Sequence, residues 1–191
     1  QCKITNLIYT NMDILSDPEQ TYFWRAFEQK YQTAIFYGLP KIHKPKKNGY
    51  FWTWPVVSKC GTFVKIASKW VNYHLQQLTS LFQSHLKYLF HLLHDLQHLH
   101  IPRTCQLFTA NAVSMYTYID ITHAIETMST WFVANENLLP PLFPTHLILE
   151  LLSIIMPHHV FTFGYLHYHQ LSGMAMGTAV APIFALIYLG K

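Results

Sequence analysis

Hydrophobic and polar positions recur along this chain with two different periods, and each change of period marks a new element. Asp17-Pro18-Glu19 supplies an N-cap, a proline at the first helical position and an acidic first turn, which predicts a helix to about Tyr31. The following stretch, "AIFYGLPKIHKPKKNGYFWTWPVVS", is rich in Gly, Pro, aromatic and β-branched residues. It predicts two short strands joined by a basic loop at Pro45 to Gly49, a hairpin that projects from the core. From Thr62 to about His100 the spacing turns helical, as two helices broken near Thr79-Ser80. In the second, 100° steps place Lys87, His91, His94, Asp95 and His98 on one side and Leu89, Leu92, Leu93, Leu96 and Leu99 on the other. His91, His94 and His98 have a spacing compatible with a metal site, but they coincide with the whole polar face, and a solvated face accounts for them better.

Leu107 to Ala110 reads as a short buried strand in the middle of a sheet, with Asn111 at its end. Asp120 then reads as the N-cap of a helix to about Val133, and Pro144 opens another that ends before Pro157. "HVFTFGYLHYHQL" has the pattern of a hairpin with Gly164 near its turn, and it runs into "SGMAMGTAVAP", a glycine-containing turn that opens a final apolar helix. The expected fold class is therefore α+β, with no repeat, low-complexity tract or linker dividing the chain.

Composition narrows the function classes. With 191 residues, 51% hydrophobic and 12% charged, the chain can bury a sizeable core and does not read as disordered. Its 16% aromatic residues and thirteen histidines are spread along the chain, a bias rather than a site. Cys2, Cys60 and Cys105 are odd in number, far apart and without a CxxC pair, so neither a disulfide framework nor a zinc module is suggested and a reducing compartment is expected. No secretory signal pattern follows Gln1, which favours an intracellular location, nuclear or cytoplasmic, and the chain reads as a piece of a longer protein. Met174 to Gly190 is an uncharged run, but it is short for a span and contains Gly177 and Pro182, so membrane association is the least favoured reading. Net charge is +4 with histidines neutral, and Lys41 to Lys47, "KIHKPKK", concentrates four lysines. Such a cluster suits phosphate, although charge alone fits a solvated loop as well.

Three separated segments then call for one explanation. "YGLPKIHKPKKNG" followed by "WPVVSKCGT", then "LFTANAVSMYTYID", then "QLSGMAMGTAVAP" resemble, in this order, the fingers segments, the first palm motif and the motif beneath nucleotide and template of a reverse transcriptase. The wording is closest to Penelope-like elements and related non-LTR-type retroelement polymerases, and it covers about Phe36 to Tyr188. The resemblance implies a partial fingers-palm: a small antiparallel sheet packed on helices, lacking the last palm strands and the thumb. It divides the chain into an N-terminal helical segment (1–35), a fingers-like basic hairpin with helices (36–100) and a partial palm (101–191).

By the same resemblance, Lys41 and Lys44 approach nucleic-acid backbone or triphosphate, Tyr116 floors the sugar pocket, and Gln170, Gly173 and Gly177 form a turn that lets backbone approach nucleotide and template. On residues alone, a buried Tyr116 and a helix-packing Gly177 need no ligand. The departures from the family pattern weigh more. Asn111 stands where the family has an aspartate that binds catalytic metal, Mg²⁺ in the active members. Trp54 stands where arginine is usual, and a neutral indole cannot pair with triphosphate oxygens. Met174 replaces a common threonine, and the Tyr-x-Asp-Asp signature of the next palm strand does not occur. The expected function is that of a degenerate reverse transcriptase fragment, catalytically inactive and without a functional metal or other cofactor, its hold on RNA or DNA template-primer weak or lost. The alternative keeps nucleic-acid binding through Lys41, Lys44, Lys46 and Lys47, with Tyr50, Phe51 and Trp52 as stacking surfaces.

Overall fold

In the computed structural model the elements follow as α1 (Cys2–Thr10), α2 (Asp17–Phe27), β1 (Ala34–Pro40), β2 (Thr53–Ser58), α3 (Phe63–Gln76), α4 (Leu89–Gln97), α5 (Met115–Tyr118), α6 (Ile121–Ala134), α7 (Thr145–Ile155), β3 (Val160–Phe163), β4 (Leu166–His169) and α8 (Ala181–Leu189). The structure describes residues 2–82, 85–86, 88–100, 102, 104–106, 108–157, 159–174 and 177–190. The α+β class holds. The sheet has four strands in the order β2-β1-β3-β4.

That sheet is mixed, which corrects the antiparallel expectation. β1 pairs antiparallel with β2 and β3 with β4, but β1 and β3 run parallel, with Ala34 opposite Phe161 and Ile35 opposite Thr162. Parallel neighbours require a long crossover, here the whole helical segment between β2 and β3. Aromatic side chains bind the join: Phe36 of β1 stacks on Phe161 of β3 at 5.4 Å, and Phe161 stacks on Tyr168 of β4 at 5.8 Å.

Helix α7 is the centre of the core. "THLILELLSII" is apolar over most of its circumference, a pattern that requires cover on several sides. α1, α3 and α6 supply that cover, and Leu147, Ile148, Leu151, Leu152 and Ile155 are fully buried. Each contributes about 1.5–3 kcal/mol of burial energy. α8 packs on α3 and α6, so residues from all three segments of the chain share one apolar cluster.

Local signals explain the helix ends. The Asp120 carboxylate accepts the His123 amide at 3.1 Å and starts α6, and α7 begins directly after Pro144. α2 departs slightly from expectation. Ser16 rather than Asp17 is its N-cap, and the helix stops at Phe27, where the Tyr31 hydroxyl donates to the Ala26 carbonyl at 2.5 Å. The 3-10 turn Thr79–Leu81 marks the break between α3 and α4. α4 keeps its two faces, but none of its side chains is buried: the leucines at 89, 93 and 96 are exposed, as is Leu99 just beyond its end. Lys87 of its polar face lies outside the described residues.

The central strand expected at Leu107 to Ala110 does not form. Phe108 is 86% exposed, and 108–112 have no regular secondary structure, while Leu107 lies outside the described residues. The pattern there offers only two large apolar side chains before Thr-Ala-Asn-Ala, which has little to pack against a sheet. The described ladders of β1 and β3 are taken up by β2, β4 and one another. The uncharged run at 174–190 is also not a single element. It divides into a turn and the nine-residue α8, and no helix among the described residues is long and apolar enough to cross a membrane.

Candidate nucleic-acid interface

The β1–β2 hairpin owes its shape to one dipeptide. Asn48 and Gly49 have φ of 51° and 81°, and Lys47 and Tyr50 exchange two backbone hydrogen bonds of 3.0 Å, a two-residue turn whose twist matches that of the strands. Below it the register runs from Pro40 opposite Thr53 to Ile35 opposite Ser58. A second turn, with the Lys44 amide donating to the Lys41 carbonyl at 3.1 Å, folds the lysine-rich segment back on the facing aromatic residues.

Three lysines thereby acquire ring partners. The Lys41 ammonium lies 4.7 Å from the centre of the Trp54 ring, Lys46 4.5 Å from Phe51 and Lys47 5.4 Å from Trp52. An exposed ammonium over an aromatic face is worth about 0.5–1 kcal/mol, enough to orient a side chain but weak enough to release it to phosphate. Tyr50, Phe51, Trp52 and Trp54 are all exposed. The hairpin therefore presents alternating positive charge and ring surface to solvent.

Lys41 also bears on the departure at position 54. The arginine that the resemblance leads one to look for is replaced by an indole, yet a cation stands over that indole, and the His43 ring lies 5.4 Å from it. His43 was not among the expected site residues. The signal for it was its place in the same turn as Lys41 and Lys44, opposite a tryptophan.

The structure brings Tyr116, Gln170 and Gly173 together, while Gly177 meets β2 instead. The Gln170 side-chain amide donates to the Ser172 and Met174 carbonyls at 2.7 and 3.1 Å, closing the turn that follows β4. The Met174 amide donates to the Tyr116 carbonyl at 2.7 Å, which ties the turn to α5. At Gly173, with φ of 78°, a Cβ would stand 2.6 Å from the Thr117 α-carbon and 2.7 Å from the Tyr116 carbonyl oxygen. At Gly177, with φ of 80°, it would overlap the Val57 carbonyl oxygen. Both glycines are needed because backbone meets backbone. They join the turn to α5 on one side and to β2, three residues beyond Trp54, on the other.

Lys59 follows β2 immediately and is only 4% exposed; burial pushes its ammonium down to about 8. It lines a cleft of about 360 Å³ with Gln32, Thr62 and Val160. Sequence patterning gave no signal for this buried lysine, because "VVSKCG" reads as a strand end followed by a solvated turn.

Asn111 is exposed on irregular backbone, before the left-handed Ser114 (φ 51°) that starts α5. The four aspartates of the chain, Asp13, Asp17, Asp95 and Asp120, stand singly. They fall in a 3-10 turn, the start of α2, the exposed α4 and the cap of α6. An exposed amide and scattered carboxylates do not fit a Mg²⁺ site, which needs several oxygen ligands in fixed octahedral array. Among the described residues no three His, Cys, Asp or Glu side chains cluster as metal ligands.

Comparison of the chain with protein-family models, with curated proteins and with solved structures finds no match.

Proposed function

We propose that this chain is a degenerate reverse-transcriptase-like fingers-palm fragment whose remaining activity is to hold single-stranded nucleic acid on the β1–β2 hairpin, without polymerisation. The observation that carries the reading is the row of lysines over exposed rings on that hairpin. Phosphates displace the ammonium groups from the rings, and unstacked bases occupy the faces so uncovered. Ring stacking contributes about 1–3 kcal/mol per base, and counterion release makes affinity fall with salt. The meeting of Tyr116, Gln170 and Gly173 at one turn supports the polymerase-derived origin, since the resemblance assigns all three to the nucleotide and template side.

The deciding experiment measures binding of a short single-stranded RNA over a range of salt, for the chain and for a variant with Lys41, Lys44, Lys46 and Lys47 replaced by alanine. Log affinity of the parent falls linearly with log salt, and the variant binds more weakly with a slope shallower by about 0.7 per lost phosphate contact. Equal affinity and slope in the two proteins would refute the interface.

A further inference from the structure

The first turn of α2, the second half of α3 and the loop Pro140–Phe143 enclose a cleft of about 580 Å³, within the usual size of small-molecule sites. None of the residues assigned to the hairpin or the glycine turn lies in its wall. Glu19 is held there by four donors. One oxygen accepts the Ser16 amide and hydroxyl at 2.9 and 2.6 Å; the other accepts the Trp70 indole N–H and His74 Nε2, both at 2.8 Å. A carboxylate offers about four acceptor positions, so this one presents charge with no acceptor to spare.

The rest of the wall is aromatic. The His74 ring lies 4.4 Å from Trp70, 5.4 Å from Tyr73 and 5.9 Å from Phe143, and Tyr22 adds a further ring from α2. Tyr73 is 65% exposed. Beside it the Pro140-Pro141 pair stiffens a loop that holds Leu142 in the left-handed region, at φ 59°, with its side chain in solvent at the cleft's rim. A non-glycine residue in that region costs about 1–2 kcal/mol, and such strain gathers at ligand sites.

Rings attract cations through their faces, and a half-buried carboxylate attracts them through its charge. The occupied acceptors make the choice among cations. A primary ammonium or guanidinium would surrender its hydrogen bonds to water with nothing on the carboxylate to replace them. A quaternary ammonium has no N–H to satisfy. We propose that this cleft binds a small quaternary ammonium ion of the choline type, with Tyr73 and Tyr22 as ring walls and Glu19 as the counter-charge. Lys69, exposed on the same wall, opposes the ligand's charge and tunes affinity downward.

Choline, ethanolamine and benzoate titrated into the full chain, followed by calorimetry or ligand-detected NMR, test the site. Choline binds saturably with a dissociation constant of about 1 mM, and ethanolamine binds roughly tenfold more weakly. Tyr73→Ala, at an exposed position that leaves the melting temperature unchanged, weakens choline roughly threefold or more. Lys69→Ala strengthens it. The variant lacking the four hairpin lysines binds choline as the parent does, so the two sites stand or fall separately. Absence of choline binding at about 50 mM, equal binding of ethanolamine, or benzoate binding that Lys69→Ala abolishes would each overturn the proposal.

Discussion

Gly177 and Val57 meet backbone against backbone, so closely that a Cβ on the glycine would overlap the Val57 carbonyl oxygen. Val57 is buried in β2 and cannot move aside without disturbing the strand. Gly177→Ala therefore combines left-handed strain with a clash against rigid backbone, and it should destabilise the fold by about 2 kcal/mol or more. Gly49 provides the control. Its φ is 81°, but nothing lies within 4 Å of an added Cβ, so Gly49→Ala should cost only the conformational term, about 1 kcal/mol. Urea midpoints of the two variants measure the difference. Equal losses would show that the approach of the turn to β2 is not what the glycine serves.

Lys59 should leave a signature above neutral pH. Its amine titrates at about 8 in the folded chain, against 10.5 for the ordinary value, because burial disfavours the charged form. Between these values the unfolded chain binds the extra proton, so folding stability rises as pH rises from about 8 towards 10 and the cost of burying the charge is relieved. Below about 8 both states are protonated and the cost is constant. Lys59→Met keeps the stem without the charge. Thermal melts of the two proteins between pH 7 and 9.5 should show the parent gaining on the variant, and parallel curves would contradict a buried, charge-strained lysine.

Much of this fold was legible in short signals, and the parts that were not depend on distant partners. Asn48-Gly49 specifies its turn by backbone preference, and Asp120 and Pro144 announce helix starts by chemistry confined to one turn. The Ser16-x-x-Glu19 box was also present in the sequence, but Glu19's bonds to Trp70 and His74, 51 and 55 residues on, were not. The strand expected at 107–110 fails for the converse reason: a β-prone stretch becomes a strand only when an edge receives it, and β1 is met by β3. Of the site, the lysines and rings were visible as types. Their pairing was set by the turns of the loop between β1 and β2.

Glu19 predicts an acid-sensitive core edge. Burial pushes its carboxyl upward, but the hydrogen bonds from Ser16, His74 and Trp70 outweigh that, and the net shift is below the ordinary value of 4.5. A depressed carboxyl contributes stability that is present above the unfolded value and is lost as pH falls through the folded one. Glu19→Ala should cost about 1–3 kcal/mol at neutral pH, since it leaves the indole and imidazole donors without their acceptor. It should also flatten the acid limb of the stability curve below about pH 4.5. A variant that loses stability at neutral pH but keeps the parent's acid dependence would place the sensitivity on other carboxylates.

Catalysis is the sharpest case, because the resemblance makes a single substitution look sufficient to supply it. The purified 191 residues should show no template-directed primer extension with Mg²⁺ or Mn²⁺, since two-metal chemistry requires carboxylates that position both ions. Asn111→Asp should not change this. The new carboxylate would sit exposed on irregular backbone, while Asp120 is engaged with the His123 amide and Asp13, Asp17 and Asp95 lie in other elements. Adding Trp54→Arg would replace the ring beneath Lys41 with a second cation. That change should steepen the salt dependence of RNA binding by about one contact while removing one stacking ring, and still produce no extension. A steeper salt slope without synthesis is the pattern expected if the hairpin holds phosphate and the residues around Asn111 hold no metal. Template-dependent extension by the unmodified chain, surviving repurification and absent from a mock preparation, would require metal ligands to be sought afresh among Asp120 and the histidines.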